Sequence, residues 1–254
     1  MYERLIQPLI FYLLGGFMNR KEFRNAVQHY TDLHFCGFNM KEFDWVYDIL
    51  NGKLPSKETL ASVFNEDKFC DSDLKFAIRD IYTTYLGFPL LNKELIETLS
   101  DVIGNKRVLE VASGSGFVSK YLSDAGVNIR ATDICYWDWK KSIGKNPRPL
   151  EFLKDHPIEL IDGISAIEKY KDETDMVLMT WPPLGSSFAA NVLNDCIKYK
   201  LPLIYCGEDW GGCTADDDFF ELADKECIIR NICTETNVPF NYIYDEWWLI
   251  VPAE

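Results

Sequence analysis

The residues best placed to do chemistry gather at three points along the chain. Residues 108–111, an apolar strand pattern containing Glu110, run directly into Ala112, Ser113, Gly114, Ser115 and Gly116, and a helical pattern follows. A strand turning into a helix in this way exposes a row of backbone N–H groups at the helix N-terminus. Glycine is needed there because a Cβ would block both the turn and a ligand lying against it. Asp133 closes the next strand pattern, 19 residues after Gly114. In a parallel sheet the ends of those two strands flank one crevice, where an aspartate can accept both hydroxyls of a ribose. The same aspartate would serve equally as a turn cap. Strand, glycine turn, helix and downstream acid together predict a nucleotide-cofactor crevice.

The second point is Trp181-Pro182-Pro183-Leu184, which ends an apolar run over 176–180. Two successive prolines fix φ twice and remove two N–H groups, leaving carbonyls free to point into a crevice. Trp181 would wall the pocket or stack on a substrate there; it would also fit a core tryptophan ahead of a turn. The third point is the stretch from Gly207 to Gly212, with Glu208 and Asp209 at the end of a strand pattern. That is the edge at which α/β folds bind ligands. Glu208 is the first acid–base candidate and Asp209 the second, though both would also simply solvate a loop. Asp216, Asp217 and Asp218 favour the positive end of the following helix.

Two details bear on which cofactor the crevice takes. The turn lacks the third glycine of the dinucleotide fingerprint, and Glu110 stands where that fingerprint has an apolar residue. An acid just before the turn suits a cofactor carrying an ammonium group better than a diphosphate, which it would repel. With Asp133, residues 108–116 resemble motif I and the following acid of class I S-adenosylmethionine-dependent methyltransferases, over roughly residues 100–254. The resemblance implies an α/β fold with a Rossmann-like, mostly parallel sheet and a C-terminal antiparallel strand pair. It implies that Glu110 lies near the methionine end, with Ala112 in place of the first glycine and Ser113, Gly114 and Gly116 completing the turn. Asp133 would hold the ribose, Asp162 and Gly163 would reach the adenine, and Thr180 would belong to the same cofactor set. The family's N/D/S-Pro-Pro-aromatic motif, which grips a target amine, is matched only in part. Trp181 stands in its polar position and Leu184 in its aromatic one, which argues against methylation of a nucleobase amino group.

The activity implied is S-adenosylmethionine-dependent methyl transfer to a small molecule or protein side chain. Such transfer needs an in-line nucleophile and, for an amine or hydroxyl, a proton acceptor. Trp137, Trp181 and Trp210 would desolvate that acceptor if they line the cleft. Tyr85, Phe88, Tyr136, Trp137, Asp138 and Trp139 are lid or substrate-wall candidates. Two other readings stand beside this one. An NAD(P)-dependent oxidoreductase would share the ribose acid but would want a full fingerprint and a catalytic His or Tyr-x-x-x-Lys pair. A non-catalytic protein could use a methyltransferase-like shell for interaction, with a protein partner on the helical region.

The elements that must position these residues divide the chain in two. Residues 1–100 read mainly as helix, with apolar positions three and four apart over 22–30, 44–50, 71–85 and 93–103. No linker or repeat follows, so this helical extension is expected to pack directly on a cofactor domain over 101–254. There, strands are predicted at 107–111, 128–132, 158–161, 176–179 and 203–205. Helices are predicted at 117–125, 165–169, 188–199 and 219–232. A late antiparallel pair is expected around 241–244 and 247–251, reversing at 244–247.

With 254 residues, 47 % hydrophobic and 26 % charged, the chain can bury a sizeable core. Its net charge of -14 divides into -3 over residues 1–100 and -11 over 101–254. That acidity disfavours nucleic acid as a partner. Lys140, Lys141, Lys145, Arg148 and Lys154 form one local basic run, read as a solvated loop face. Eight scattered cysteines without a Cys-x-x-Cys pair, and a start without a leader pattern, point to reduced thiols in a cytoplasmic setting. The nine-residue apolar stretch from Leu9 is too short to cross a bilayer. Three histidines and the cysteine spacing give no metal site, so none is expected.

Overall fold

Short apolar runs become seven strands in the computed structural model, which describes residues 21, 44–64, 79, 82–83, 86–134, 151–153, 155–240 and 242–253. They are β1 (Val108–Val111), β2 (Ile129–Asp133), β3 (Ile158–Leu160), β4 (Met176–Thr180), β5 (Leu203–Gly207), β6 (Cys227–Asn231) and β7 (Glu246–Pro252). They form one sheet in the order β3-β2-β1-β4-β5-β7-β6. β1 to β5 pair in parallel, and β7 runs antiparallel to both β5 and β6. Strand order reverses between β1 and β4, and at such a switch point the C-terminal strand ends open a crevice.

The described helices are α1 (Asp44–Leu50), α2 (Lys57–Phe64), α3 (Lys93–Ile103), α4 (Phe117–Asp124), α5 (Gly163–Tyr170), α6 (Phe188–Tyr199) and α7 (Asp217–Glu226). Because strand side chains alternate, Val108, Met176, Leu178, Ile204 and Trp247 face one way, and Leu109, Val111, Val177, Met179 and Leu203 the other. The first face is buried under α1 to α4, the second under α5, α6 and α7. α3 is built for its place. Leu95, Ile96, Leu99 and Ile103 form its buried stripe, and Asn92 caps it by accepting the Leu95 N–H at 2.8 Å. Tyr82 ties the helical region to the sheet layer. Its hydroxyl donates to the Pro89 carbonyl at 2.9 Å and accepts from the Leu91 N–H at 3.0 Å, while its ring meets Phe117 and Phe240 edge-on.

Two sequence expectations fail at the C-terminal side. Residues 219–232 are not one helix: α7 ends at Glu226 and β6 begins at Cys227, whose backbone is already extended at φ −136° and ψ 162°. Cys227 continues the helical spacing of Phe219, Phe220 and Ala223, so periodicity runs through the break. The β-branched pair Ile228 and Ile229 favours the strand. Nor is the strand expected over 241–244 present at residues 242–244; residue 241 lies outside the described residues. Tyr242 takes φ 64° and the Ile243 N–H donates to the Phe240 carbonyl at 3.0 Å, forming a turn. The antiparallel partner of β7 is therefore β6, not a hairpin strand beside it. The expected helices over 22–30 and most of 71–85 lie outside the described residues, as does the basic run.

Candidate active site

The turn after β1 holds three left-handed residues, Ala112 at φ 53°, Gly114 at φ 57° and Gly116 at φ 73°. Ala112 thus keeps a glycine-like backbone despite its Cβ, at a cost of about 1 kcal/mol. Neighbouring bonds hold it: the Ser113 N–H donates to the Thr132 carbonyl at 3.0 Å, and the Gly114 N–H to Asp133 Oδ2 at 2.8 Å. Gly116 begins α4 with no side chain capping the first-turn amides. A Cβ on Gly114 would meet nothing within 4 Å, whereas one on Gly116 would lie 2.9 Å from Ile158 Cδ1 and 3.0 Å from His156 Cδ2. Gly116→Ala is therefore expected to cost about 1–2 kcal/mol in urea unfolding. Gly126→Ala, at φ 92° in open space, is the control for backbone strain alone. Equal costs for the two would show that the crowding at 116 is unimportant.

Above this turn lies a cleft of about 530 Å³. Ala112, Ser113, Gly114 and Ser115 form its floor with Phe117 and Val118. Thr180, Trp181, Pro182, Pro183 and Cys213 wall it on the β4 side. Arg79, Thr83 and the segment from Leu86 to Pro89 wall it on the helical side. The Ser115 hydroxyl donates to the Leu86 carbonyl and stitches floor to wall. Of the lid candidates, Phe88 lines the cleft; Tyr85 and residues 136–139 lie outside the described residues.

Several expected site residues are used differently. Glu110 is fully buried on the α4 side of β1 and does not line the cleft. Burial pushes its pKa up to about 8; Ser119 opposes that shift and Asp133 adds to it. Neither carboxylate oxygen has a hydrogen bond of ordinary geometry among the described residues. The neighbouring Ser119 hydroxyl donates to the Gly116 carbonyl at 3.0 Å and pairs with His156 Nε2 at 2.7 Å. That enclosed place on the α4 side of β1, off the cleft lining, corrects the expectation that Glu110 lies near the methionine end of the cofactor. Glu208 is also buried away from the cleft lining. Its Oε2 accepts the Cys213 N–H at 2.7 Å and its Oε1 the Tyr244 N–H at 3.0 Å. Both oxygens are engaged as a loop clamp, which corrects its reading as acid–base. Asp209 is exposed, caps the Trp210 N–H at 2.7 Å and likewise stands off the cleft. Trp210 packs on Phe220 and does not line it either.

Asp162 caps α5, its Oδ1 accepting the Ser165 N–H at 3.0 Å, and that bonding to Ser165 holds its carboxyl below the usual range. Gly163 is packed, since a Cβ would meet the Phe188 ring at 2.9 Å. Neither lines the cleft. Asp216 caps no amide of α7 and reaches instead to the Gly185 N–H at 2.6 Å. The Pro182 carbonyl, expected to be free for a ligand, accepts the Ala215 N–H at 3.2 Å.

Two residues escaped sequence reading. Asp245 is buried, accepts the Trp181 indole N–H on Oδ2 at 3.1 Å, and has its pKa pushed up to about 6 by burial. Arg79 is the one charged side chain lining the cleft among the described residues. Asp245 sits in a stretch whose turn-forming residues masked it. Arg79 was hidden in an ordinary helical pattern.

Among the described residues no His, Cys, Asp and Glu cluster could hold a metal ion, and no helix is long and apolar enough to cross a membrane. No family model and no curated protein matches the chain. Solved structures do. A protein of the NADB-Rossmann superfamily from Streptococcus agalactiae is 17 % identical over 65 % of this chain and 69 % of that one, with a TM-score of 0.39. Magnesium protoporphyrin IX methyltransferase from Synechocystis PCC 6803, with bound SAM, is 12 % identical over 86 % of this chain and 99 % of that one, TM-score 0.40. The METTL16 MTase domain is 15 % identical over 81 % and 95 %, TM-score 0.42. With its mostly parallel sheet, its antiparallel β7 and the glycine turn at the end of β1, the chain has a Rossmann-like α/β fold.

Proposed function

We propose that the protein is an S-adenosylmethionine-dependent methyltransferase acting on a small molecule or a protein side chain. In this reading residues 101–254 are the cofactor unit, and residues 1–100 are a helical region that packs on it and walls the cleft. The observation that carries it is the left-handed turn at Ala112, Gly114 and Gly116, opening into the cleft beside Asp133.

The residues fit such a cofactor. The cleft volume lies within the range of small-molecule sites, about 300–1,000 Å³. The space over Gly114 is clear, so a ligand can lie against the backbone. The Ser113 hydroxyl lines that floor buried and without a partner among the described residues, a polar group that a ligand would satisfy. Ala112, Ser113, Gly114 and Thr180, which line the cleft, would hold the cofactor together with Gly116 and Asp133, which do not line it but shape the turn, Asp133 by accepting the Gly114 N–H; Arg79 suits a carboxylate. When bound, S-adenosylmethionine supplies an electrophilic methyl group on a sulfonium. The protein's share is to orient the acceptor in line and to exclude water, for which Phe88, Pro89, Trp181 and Pro183 provide apolar walls.

Calorimetry with S-adenosylhomocysteine is the direct test, with NAD as the competing ligand. Binding of the first and not the second is expected, weakened about tenfold in Asp133→Ala by loss of a charge-assisted hydrogen bond. No heat with S-adenosylhomocysteine at near-millimolar concentration would end the proposal.

A further inference from the structure

The β4 side of the cleft has an arrangement that cofactor binding does not require. Trp181 leaves β4 with a left-handed backbone, φ 49°, and its indole stacks on Phe88 with ring centroids 5.0 Å apart and planes 15° apart. Its Nε1–H donates to Asp245 Oδ2 at 3.1 Å, and Asp245, only 4 % exposed, has no partner for Oδ1 among the described residues. Two polar groups of the Pro-Pro corner are already engaged. The Trp181 N–H donates to the Cys206 carbonyl at 2.7 Å, and the Pro182 carbonyl receives the Ala215 N–H at 3.2 Å.

A half-satisfied buried carboxylate and a bulky residue in left-handed backbone each cost stability. Glycine would relieve the left-handed backbone at 181. What the two achieve together is a fixed indole, with its polar atom turned into the protein while the residue lines the cleft beside Phe88. Asp245 itself does not line the cleft and acts through Trp181.

We propose that Asp245 is a positioning residue that locks Trp181 against Phe88 as an aromatic wall, and that the methyl acceptor is a planar aromatic compound held by stacking there. This rests on the methyltransferase reading. An exocyclic amine would look for carbonyl acceptors at the corner, and that of Pro182 already receives the Ala215 N–H. Among the described residues no carboxylate or imidazole lines the cleft. A ring nitrogen or phenolate oxygen suits that lining, because its lone pair forms the new bond to the methyl carbon without prior loss of a proton. The electron pair of the broken S–C bond stays on sulfur, leaving a neutral thioether.

The test uses the full chain saturated with S-adenosylhomocysteine, uptake being followed by calorimetry, and then titrated with quinoline or cyclohexylmethylamine under ligand-observed NMR. Quinoline is expected to bind about tenfold more tightly than the amine, a preference removed by Trp181→Ala. Asp245→Leu should weaken quinoline about tenfold with S-adenosylhomocysteine affinity unchanged. Asp245→Asn, which keeps an oxygen for the indole N–H, should bind quinoline like wild type. Phe88→Leu removes the stack without touching Asp245 and serves if Asp245→Leu fails to fold. Equal binding of amine and quinoline, or quinoline affinity unaltered in both Asp245→Leu and Phe88→Leu, would overturn the inference. Failure to take up S-adenosylhomocysteine would instead overturn the methyltransferase reading.

Discussion

Glu208→Ala should unfold roughly 3 kcal/mol more easily than wild type and still bind S-adenosylhomocysteine with near-native affinity. In a chain of this size that is a fall in Tm of roughly 6–12 °C. The carboxylate accepts the Cys213 and Tyr244 amides, so it bolts the loop after β5 to the segment leading into β7. Removing it strands both amides in a partly buried place. The node around it is tight. The Glu208 N–H donates to Thr214 Oγ1 at 2.8 Å, Tyr205 Oη donates to the Glu208 carbonyl at 3.1 Å, and a Cβ on Gly212 would collide with the Glu208 Cβ. Glutamine is no substitute, because its NH₂ would face one of the two N–H donors. Urea unfolding beside calorimetry separates the possibilities: full stability in Glu208→Ala would refute the clamp and return the residue to the list of acid–base candidates.

Between pH 6.5 and 8 the wild-type protein should lose roughly 2 kcal/mol of stability, and Glu110→Gln should lose little. The pKa of Glu110 is raised from 4.5 to about 8 in the folded protein. Between those values the folded chain keeps a proton that the unfolded chain has released. Its contribution is thus fully present below pH 4.5 and drains away at about 1.4 kcal/mol per pH unit as pH rises towards 8. Asp245 acts with the same sign but is spent near pH 6, and the lowered pKa of His156 acts with the opposite sign below its usual 6.5. Above 6.5 both are spent, and the thiols whose pKa burial raises begin to add a loss of the same sign only towards pH 8, so the difference between wild type and Glu110→Gln reports Glu110. Urea midpoints at stepped pH give the measurement, and an unchanged slope in Glu110→Gln would show that the carboxyl ionises freely.

The contrast between these two glutamates shows what the sequence could and could not convey. Strands β1 to β5 and helix α6 were legible because each is a short apolar run or an amphipathic stripe bounded by turn residues, a local signal. The glycine turn was legible for the same reason: its residues, and Asp133 at the next strand end, are set by backbone shape. β6 was not, because Cys227 carries on the helical spacing of α7. Carboxylates were the weakest point. Nothing local says that Glu110 points under α4, that Glu208 is caught between two amides, or that Asp245 lies beneath an indole 64 positions upstream. Those placements arise only when distant strands meet.

The slot that β7 fills has a consequence for how the molecule assembles. β6 precedes β7 in the chain but joins the sheet only through it, and β5 keeps an open edge until β7 arrives. During synthesis, β1 to β5 can pair while that edge still offers unpaired N–H and C=O groups to another chain. Asp245 stands just ahead of β7, so the step that seals the edge also seats Trp181. A nascent chain thus acquires a finished pocket only when the β5 edge is covered, and premature ligand capture and association through that edge end together.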